Sequence, residues 1–146
     1  MNCRSLLSIA DELSDLIVHN SIDVFAVTET WLDSTIEDSE IFSYSFPINI
    51  VCNDRNRRGG EIAFLLSPRV KFVLRPDLCE GKIESIWIEL YPSTKRSVLF
   101  CCAYRPPSQH NFFDHLLAEC ESAYSHCPRL VLLGDMNADL LMPSYS

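Results

Sequence analysis

Residues 130–137 read Leu-Val-Leu-Leu-Gly-Asp-Met-Asn, an apolar run that ends at Gly134 and continues into a carboxylate and a carboxamide. An uninterrupted apolar run of this length predicts a β-strand that is buried on both faces. Residues i and i+2 of an extended segment point the same way, and we therefore expect Asp135 and Asn137 to project together while Met136 turns toward the interior. The stretch predicts a polar site where a buried strand leaves its sheet, although the two polar residues can also form a simple Asx turn.

Two further apolar segments end on polar residues in the same way. Ile22–Thr30 is rich in β-branched and aromatic residues and carries Glu29 near its end, and Val98–Pro107 has the same character and carries Tyr104. Asn2 precedes an amphipathic helix, where it would end a first strand of which the chain contains little. Each residue also has an ordinary interpretation, because a strand often ends on a solvated carboxylate or a half-buried tyrosine.

The hydrophobic pattern alternates between helices and strands. Helical spacing predicts a helix from about Ser5 to His19 and a second from Asn111 to about Ser125, which would be capped by Asn111 and would bury Phe112, Phe113, Leu116, Leu117 and Tyr124. Between these helices, β-rich segments separated by Gly and Pro predict hairpin-like neighbours at Asn49–Cys52, Glu61–Ser67, Val70–Leu74, Ser85–Tyr91 and Ser97–Tyr104. This pattern alone indicates one α/β or α+β domain.

Charge and composition limit the function classes. The net charge of -8 argues against a wide basic surface for nucleic acid, but an acidic cleft can hold a divalent ion that itself meets a phosphate. Arg55, Arg57, Arg58 and Arg105 are available for phosphate contacts, or are solvated loop charges. The sequence has no run of about 18 apolar residues and no signal-peptide core, which predicts no membrane contact and a nuclear or cytoplasmic location. The seven cysteines lack paired spacing and are expected to be reduced there.

Five motifs in this order and spacing resemble the endonuclease/exonuclease/phosphatase superfamily. They are Asn2-x-Arg4-Ser5-Leu6, Glu29-Thr30-Trp31-Leu32, Arg58-Gly59-Gly60, Tyr104-Arg105-Pro106-Pro107 and Gly134-Asp135-Met136-Asn137. Together they are most similar to the apurinic-type endonuclease domain of non-LTR (LINE-type) retrotransposons. Inositol-phosphate phosphatases of the superfamily usually follow Gly-Asp-x-Asn with an aromatic and a basic residue, whereas Ala138-Asp139 stands here.

The resemblance implies both a fold and a function. The implied fold is a DNase I-like four-layer sandwich, in which two packed mixed or antiparallel β-sheets are flanked by helices. The implied function is metal-dependent nicking of DNA, with a reverse transcriptase region expected elsewhere in the parent chain. Glu29 would hold Mg²⁺ or Mn²⁺, and Asp135 would orient or deprotonate the attacking water. Asn137, Tyr104 and Asn2 would complete the catalytic set, the first two as donors to the phosphoryl oxygens.

The same resemblance implies further strands after Gly-Asp-x-Asn and a closing Ser-Asp-His segment. Residues 1–146 contain no such segment after Asn137. We therefore expect residues 1–146 to be a partial domain, an incomplete sandwich in which nicking is weak or absent. Two alternatives stay open at this point: a catalytically dead remnant that only binds, and a phosphatase or lipid phosphodiesterase of the same superfamily.

Overall fold

The computed structural model describes residues 1–32, 35–42, 48–52, 62–92 and 96–138. Helices and strands alternate along the chain much as the hydrophobic pattern predicts. Their bounds are α1 Leu6–His19, β1 Val24–Thr28, α2 Asp38–Ile41, β2 Asn49–Cys52, β3 Ile62–Leu66, β4 Phe72–Leu74, a 3₁₀ turn at Pro76–Leu78, β5 Glu84–Leu90, β6 Val98–Tyr104, α3 Phe112–His126 and β7 Leu130–Asp135.

The strands form two sheets. The first has the order β1-β3-β2 and is antiparallel, and the second has the order β4-β5-β6-β7. Within the second sheet β4, β5 and β6 are antiparallel, whereas β7 runs parallel to β6. A parallel neighbour requires a crossover connection, and α3 supplies it.

Three apolar clusters define four layers. One joins α1 to the outer face of the first sheet, a second joins α3 to the outer face of the second sheet, and the third lies between the sheets. The middle cluster includes Phe64 and Ile88, neither of which is exposed. Helix α1 contributes Leu6, Leu13 and Ile17, which recur at helical spacing on one face. The predicted four-layer α/β sandwich is confirmed.

The prediction for the second helix was partly wrong. Helix α3 buries Phe112, Leu116, Glu119 and Ala123. The residues Phe113, Leu117 and Tyr124, which were expected in the core, are 45%, 59% and 61% exposed. These exposed residues form the neighbouring stripe of the helix, about 100° further round, and a hydrophobic pattern cannot tell which of two adjacent apolar stripes meets the sheet. Asn111 precedes the first helical residue as predicted, but its side chain makes no capping hydrogen bond.

Two strand predictions were also wrong. β3 and β4 are not hairpin partners, because the chain passes from the first sheet to the second between Leu66 and Phe72. β7 is not buried on both faces, since Leu132 is 46% exposed. Within the described part of the chain β7 pairs only with β6, which makes it an edge strand of its sheet.

Several predicted features lie outside the described residues. These are the turn at Gly59-Gly60, the basic residues Arg55, Arg57 and Arg58, and Asp139. None of the described helices is long and apolar enough to cross a bilayer.

Candidate active site

Three strands deliver polar residues to one edge of the sandwich. β6 ends at Tyr104 and β7 ends at Asp135, and these two residues are partners in the parallel register. β1, which is followed by Glu29, packs against both β6 and β7 from the opposite sheet. The structure therefore brings Glu29, Tyr104 and Asp135 together, as their positions at strand ends predict.

The amino terminus adds Asn2 to the same edge. Residues 1–3 run alongside β1 through a parallel bridge between Asn2 and Thr28. The N–H of Thr28 donates to the carbonyl of Met1 at 2.8 Å, and the N–H of Cys3 donates to the carbonyl of Thr28 at 2.9 Å. The terminal ammonium group donates to the carbonyl of Ala26 at 2.9 Å. These backbone bonds hold Asn2 beside Thr28.

Two side-chain hydrogen bonds connect the four residues in pairs. The Nδ2 of Asn2 donates to Oδ2 of Asp135 at 3.2 Å. The hydroxyl of Tyr104 donates to Oε1 of Glu29 at 3.4 Å. Glu29 itself has a positive φ of 58°, a conformation that is uncommon for residues other than glycine and that often marks functional sites.

Burial and nearby carboxylates make the Tyr104 hydroxyl harder to deprotonate than an ordinary phenol. The pKa of Tyr104 is raised above its usual value, first by burial and then by the charge of Glu29, the hydrogen bond to Glu29 and the charges of Asp135 and Glu84. Both Glu29 and Asp135 are thus close enough to act electrostatically on one phenol. At neutral pH Tyr104 is a neutral hydrogen-bond donor set among carboxylates.

Asp135 and Asn137 form the Asx turn that the sequence left open. The N–H of Asn137 donates to Oδ1 of Asp135 at 3.0 Å, and Asn137 adopts a positive φ of 42°. The Nδ2 of Asn137 donates to the carbonyl of Arg105 at 2.7 Å. An amide nitrogen carries two hydrogens, and one such bond does not use up its donor capacity. Met136 packs into the cluster beneath α3, as its position between the two polar residues predicts.

Sequence reasoning missed Glu84. This residue is the first of β5, stands opposite Tyr104 in the antiparallel register and is only 7% exposed. Its charge contributes to the raised pKa of Tyr104. A carboxylate at the start of an otherwise apolar strand was the available signal, but its significance depends on the register between β5 and β6, which local sequence does not give.

The residues at this edge include donor types that Mg²⁺ accepts. Within the described residues no group of three or more His, Cys, Asp or Glu side chains is placed to hold a metal. Zinc is usually held by three or four protein side chains, whereas Mg²⁺ is usually held by one or two carboxylates together with the phosphates of a substrate. Glu29 and Asp135 offer two carboxylates, and Asn2 adds an amide oxygen, which is also a ligand type that hard cations accept.

The fold is a four-layer α/β sandwich with a polar site at one edge, and comparison with known proteins identifies the family. The model of the endonuclease/exonuclease/phosphatase family matches residues 1–145, and this chain belongs to that family. A comparison with curated proteins finds no match.

Solved structures share the fold. The endonuclease domain of TRAS1, a telomere-specific non-LTR retrotransposon, matches with a TM-score of 0.70 at 14% identity, over 97% of this chain and 58% of that chain. The 3′ phosphatase NExo from Neisseria, bound to a product DNA hairpin, matches with a TM-score of 0.64 at 19% identity, over 91% of this chain and 54% of that one. An AP endonuclease from Archaeoglobus fulgidus matches with a TM-score of 0.59 at 16% identity, over 94% and 55%.

At these identities the likeness establishes the fold. The chain spans between 54% and 58% of the length of these three structures.

Proposed function

We propose that this chain carries the metal-binding and water-orienting side of a Mg²⁺-dependent phosphodiesterase that nicks DNA, of the kind found in non-LTR retrotransposons. The observation that carries the proposal is the meeting of two hydrogen-bonded pairs, Asn2 with Asp135 and Tyr104 with Glu29, at one edge of the sandwich. Nucleases and a DNA phosphatase are among the proteins that share the fold, which supports a DNA substrate.

Each residue has a separate task in this proposal. Glu29 and Asp135 would hold the divalent ion, which would supply positive charge to neutralise a phosphate oxygen. Asp135 also orients the attacking water or takes its proton, and the hydrogen bond from Asn2 fixes the direction of its carboxylate. Tyr104 is a neutral donor for the phosphoryl oxygens, and burial and the neighbouring carboxylates raise its pKa further above neutrality. Asn137 is the second such donor.

Metal binding is tested without reference to activity. Wild-type protein, Glu29→Gln and Glu12→Gln are titrated with Mg²⁺ while the backbone amide spectrum is followed by NMR. Glu12 lies exposed on α1 and is a matched control. We expect shifts confined to the edge formed by Asn2, Glu29, Tyr104 and Asp135, lost in Glu29→Gln and kept in Glu12→Gln. Shifts that persist in Glu29→Gln contradict the assignment of the ligand.

The substrate class is tested with supercoiled plasmid DNA. Supercoiled plasmid is a closed circle without strand ends. An endonuclease nicks it, whereas a 3′ phosphatase or an end-dependent exonuclease does not act on it. The resemblance implies a histidine donor that residues 1–146 do not contain, and the loss of one such donor costs about 100- to 1000-fold in rate. We therefore expect slow nicking that requires Mg²⁺ and is seen with protein in excess over DNA. Release of phosphate from a 3′-phosphorylated oligonucleotide without plasmid nicking would instead establish the phosphatase alternative.

A further inference from the structure

The side chain of Arg105 connects two loops next to the site. Its Nε–H donates to the carbonyl of Gln109 at 3.2 Å. Its Nη1 donates to the carbonyls of Met136 and Asn137 at 3.5 and 3.2 Å. The guanidinium carbon lies 5.1 Å from the centre of the Phe113 ring. One planar group therefore joins the loop after β6 to the turn after β7, and the aromatic face fixes its plane.

The backbone of Arg105 holds the same turn from a second direction. Its N–H donates to the carbonyl of Asp135 at 2.9 Å, which extends the pairing of β6 and β7 by one residue. Its carbonyl accepts the Nδ2 of Asn137 at 2.7 Å. Pro106 restricts Arg105 to extended backbone conformations, and it has no N–H with which to continue the ladder. The Tyr-Arg-Pro-Pro motif thus ends β6 at the point where Arg105 reaches the turn.

These contacts use the shape of the guanidinium group. In the described part of the chain the ion pairs involve Arg69, Arg75, Lys82 and His115, and Arg105 takes part in none of them. Its partners are carbonyl oxygens and an aromatic ring. A lysine ammonium keeps the charge at a single nitrogen and cannot reach two separate loops while lying flat on a ring.

We propose that Arg105 is a positioning residue that fixes the turn from Asp135 to Asn137, and through this turn the direction of the Asp135 carboxylate. The turn benefits from such support because the hydrogen bond from the Asn137 N–H to Oδ1 of Asp135 is at the surface, where water competes for it. The role of Asp135 in this inference rests on the proposed function. Arg105 itself acts through the turn and does not touch the reacting phosphate.

The first experiment measures the turn directly. Hydrogen exchange of the Asn137 N–H is followed by NMR in the wild type, in Arg105→Lys and in the matched control Arg69→Lys, whose side chain is 72% exposed and pairs with Asp23. We expect exchange about tenfold faster in Arg105→Lys, the factor that corresponds to losing one hydrogen bond to a charged group. We expect no change in Arg69→Lys. Equal exchange in Arg105→Lys and the wild type overturns the proposal.

The second experiment separates positioning from a direct phosphate contact. Single-turnover nicking is measured at increasing DNA concentrations and salt concentrations. A positioning role predicts a maximal rate about 10- to 100-fold lower in Arg105→Lys, as for other groups that orient a metal-site ligand. It predicts a half-saturating DNA concentration within about twofold of the wild type. Weaker DNA binding with a salt slope that is smaller by about 1, at an unchanged maximal rate, would show a phosphate contact and overturn the proposal.

The two experiments fail independently of each other. If the wild type does not nick DNA, the proposed function is refuted, while exchange at Asn137 still decides whether Arg105 fixes the turn. If the wild type nicks DNA and Arg105→Lys matches it in both rate and exchange, the function stands and the role of Arg105 is refuted.

Discussion

Replacement of Gly134 by alanine tests how tightly β7 is seated against β6. Gly134 has a φ of +138°, a conformation that side chains rarely adopt. A β-carbon built there overlaps the carbonyl oxygen of Ala103 and lies 2.8 Å from its carbonyl carbon and 2.9 Å from its nitrogen. All three are backbone atoms of the neighbouring strand β6, and no side-chain rotation relieves the overlap. β7 must therefore shift, and Asp135 shifts with it.

Two costs determine the expected loss of stability: the rare backbone conformation at position 134 and the overlap with Ala103. A residue forced into a sparsely populated backbone conformation costs about 1–3 kcal/mol. Forcing extra atoms into a packed position costs about 1–3 kcal/mol more. We expect the free energy of unfolding of Gly134→Ala to fall by about 4 kcal/mol, a large part of the 5–15 kcal/mol that is typical of a domain.

Gly81→Ala is the matched control. Gly81 has a φ of +73°, but a β-carbon there would meet nothing within 4 Å. Only the conformational cost applies, about 1–2 kcal/mol. Urea unfolding followed by circular dichroism measures both variants. A loss in Gly134→Ala that is no larger than the loss in Gly81→Ala would refute the claim that β7 approaches Ala103 too closely for a side chain.

Three further predictions concern buried groups. Glu119 accepts hydrogen bonds from the N–H of Glu80 at 2.9 Å, the hydroxyl of Ser85 at 2.7 Å and the indole N–H of Trp87 at 2.9 Å. Glu119→Ala leaves these donors without their acceptor and should lower the free energy of unfolding by about 4 kcal/mol. The control Glu121→Ala, at an exposed position, should lower it by about 0.5 kcal/mol or less. Equal losses of the two variants in a urea titration would contradict this prediction. Glu29→Gln should lower the pKa of Tyr104, because it removes a negative charge that raises it, and ultraviolet titration of the phenol against a Tyr104→Phe reference measures the change. The pKa of Tyr104 is higher in the folded protein than in the unfolded chain, and the unfolded chain therefore loses the phenol proton at a lower pH. The stability that Tyr104 contributes should be complete below pH about 10 and should fall as the pH rises through the pKa of the folded protein. Burial raises the pKa of Cys102 to about 12 and also raises the pKa of Cys101. Alkylation followed by mass spectrometry should therefore label both thiols only after the protein is unfolded. Rapid labelling of the native protein would contradict their burial.

The sequence predicted the helices and strands because each element is encoded locally, whereas the four-layer arrangement was implied by the resemblance to the family. The spacing of Leu6, Leu13 and Ile17 defines a helix face by itself, and the β-rich segments define strands without knowledge of their partners. The exposed stripe of α3 and the exposed face of β7 were predicted wrongly for one physical reason. Both depend on what packs beside the element, and this information lies elsewhere in the chain.

The residues of the site fall into the same two groups: those that local sequence identifies and those that depend on a partner elsewhere in the chain. Glu29, Tyr104 and Asp135 follow apolar strands, and their positions at strand ends marked them as candidates before any contact was known. Glu84 was not assigned a role, and Arg105 was considered only for phosphate contacts or as a solvated charge, because each acts through a partner that only the register of the second sheet brings close. Glu84 reaches Tyr104 through the pairing of β5 with β6, and Arg105 reaches the turn after β7 through the pairing of β6 with β7.

The central claim is that Asp135 serves Mg²⁺-dependent cleavage of DNA. The most direct test is single-turnover nicking of supercoiled plasmid, measured for the wild type, Asp135→Asn and Asp114→Asn. Asp114 lies exposed in the first turn of α3 and provides the same substitution away from the site. We predict slow nicking that EDTA abolishes, unchanged in Asp114→Asn and reduced about 100-fold or more in Asp135→Asn, the usual loss when a general base is removed. Nicking that survives in Asp135→Asn at the wild-type rate, or a wild type that does not exceed the EDTA control, would contradict the account.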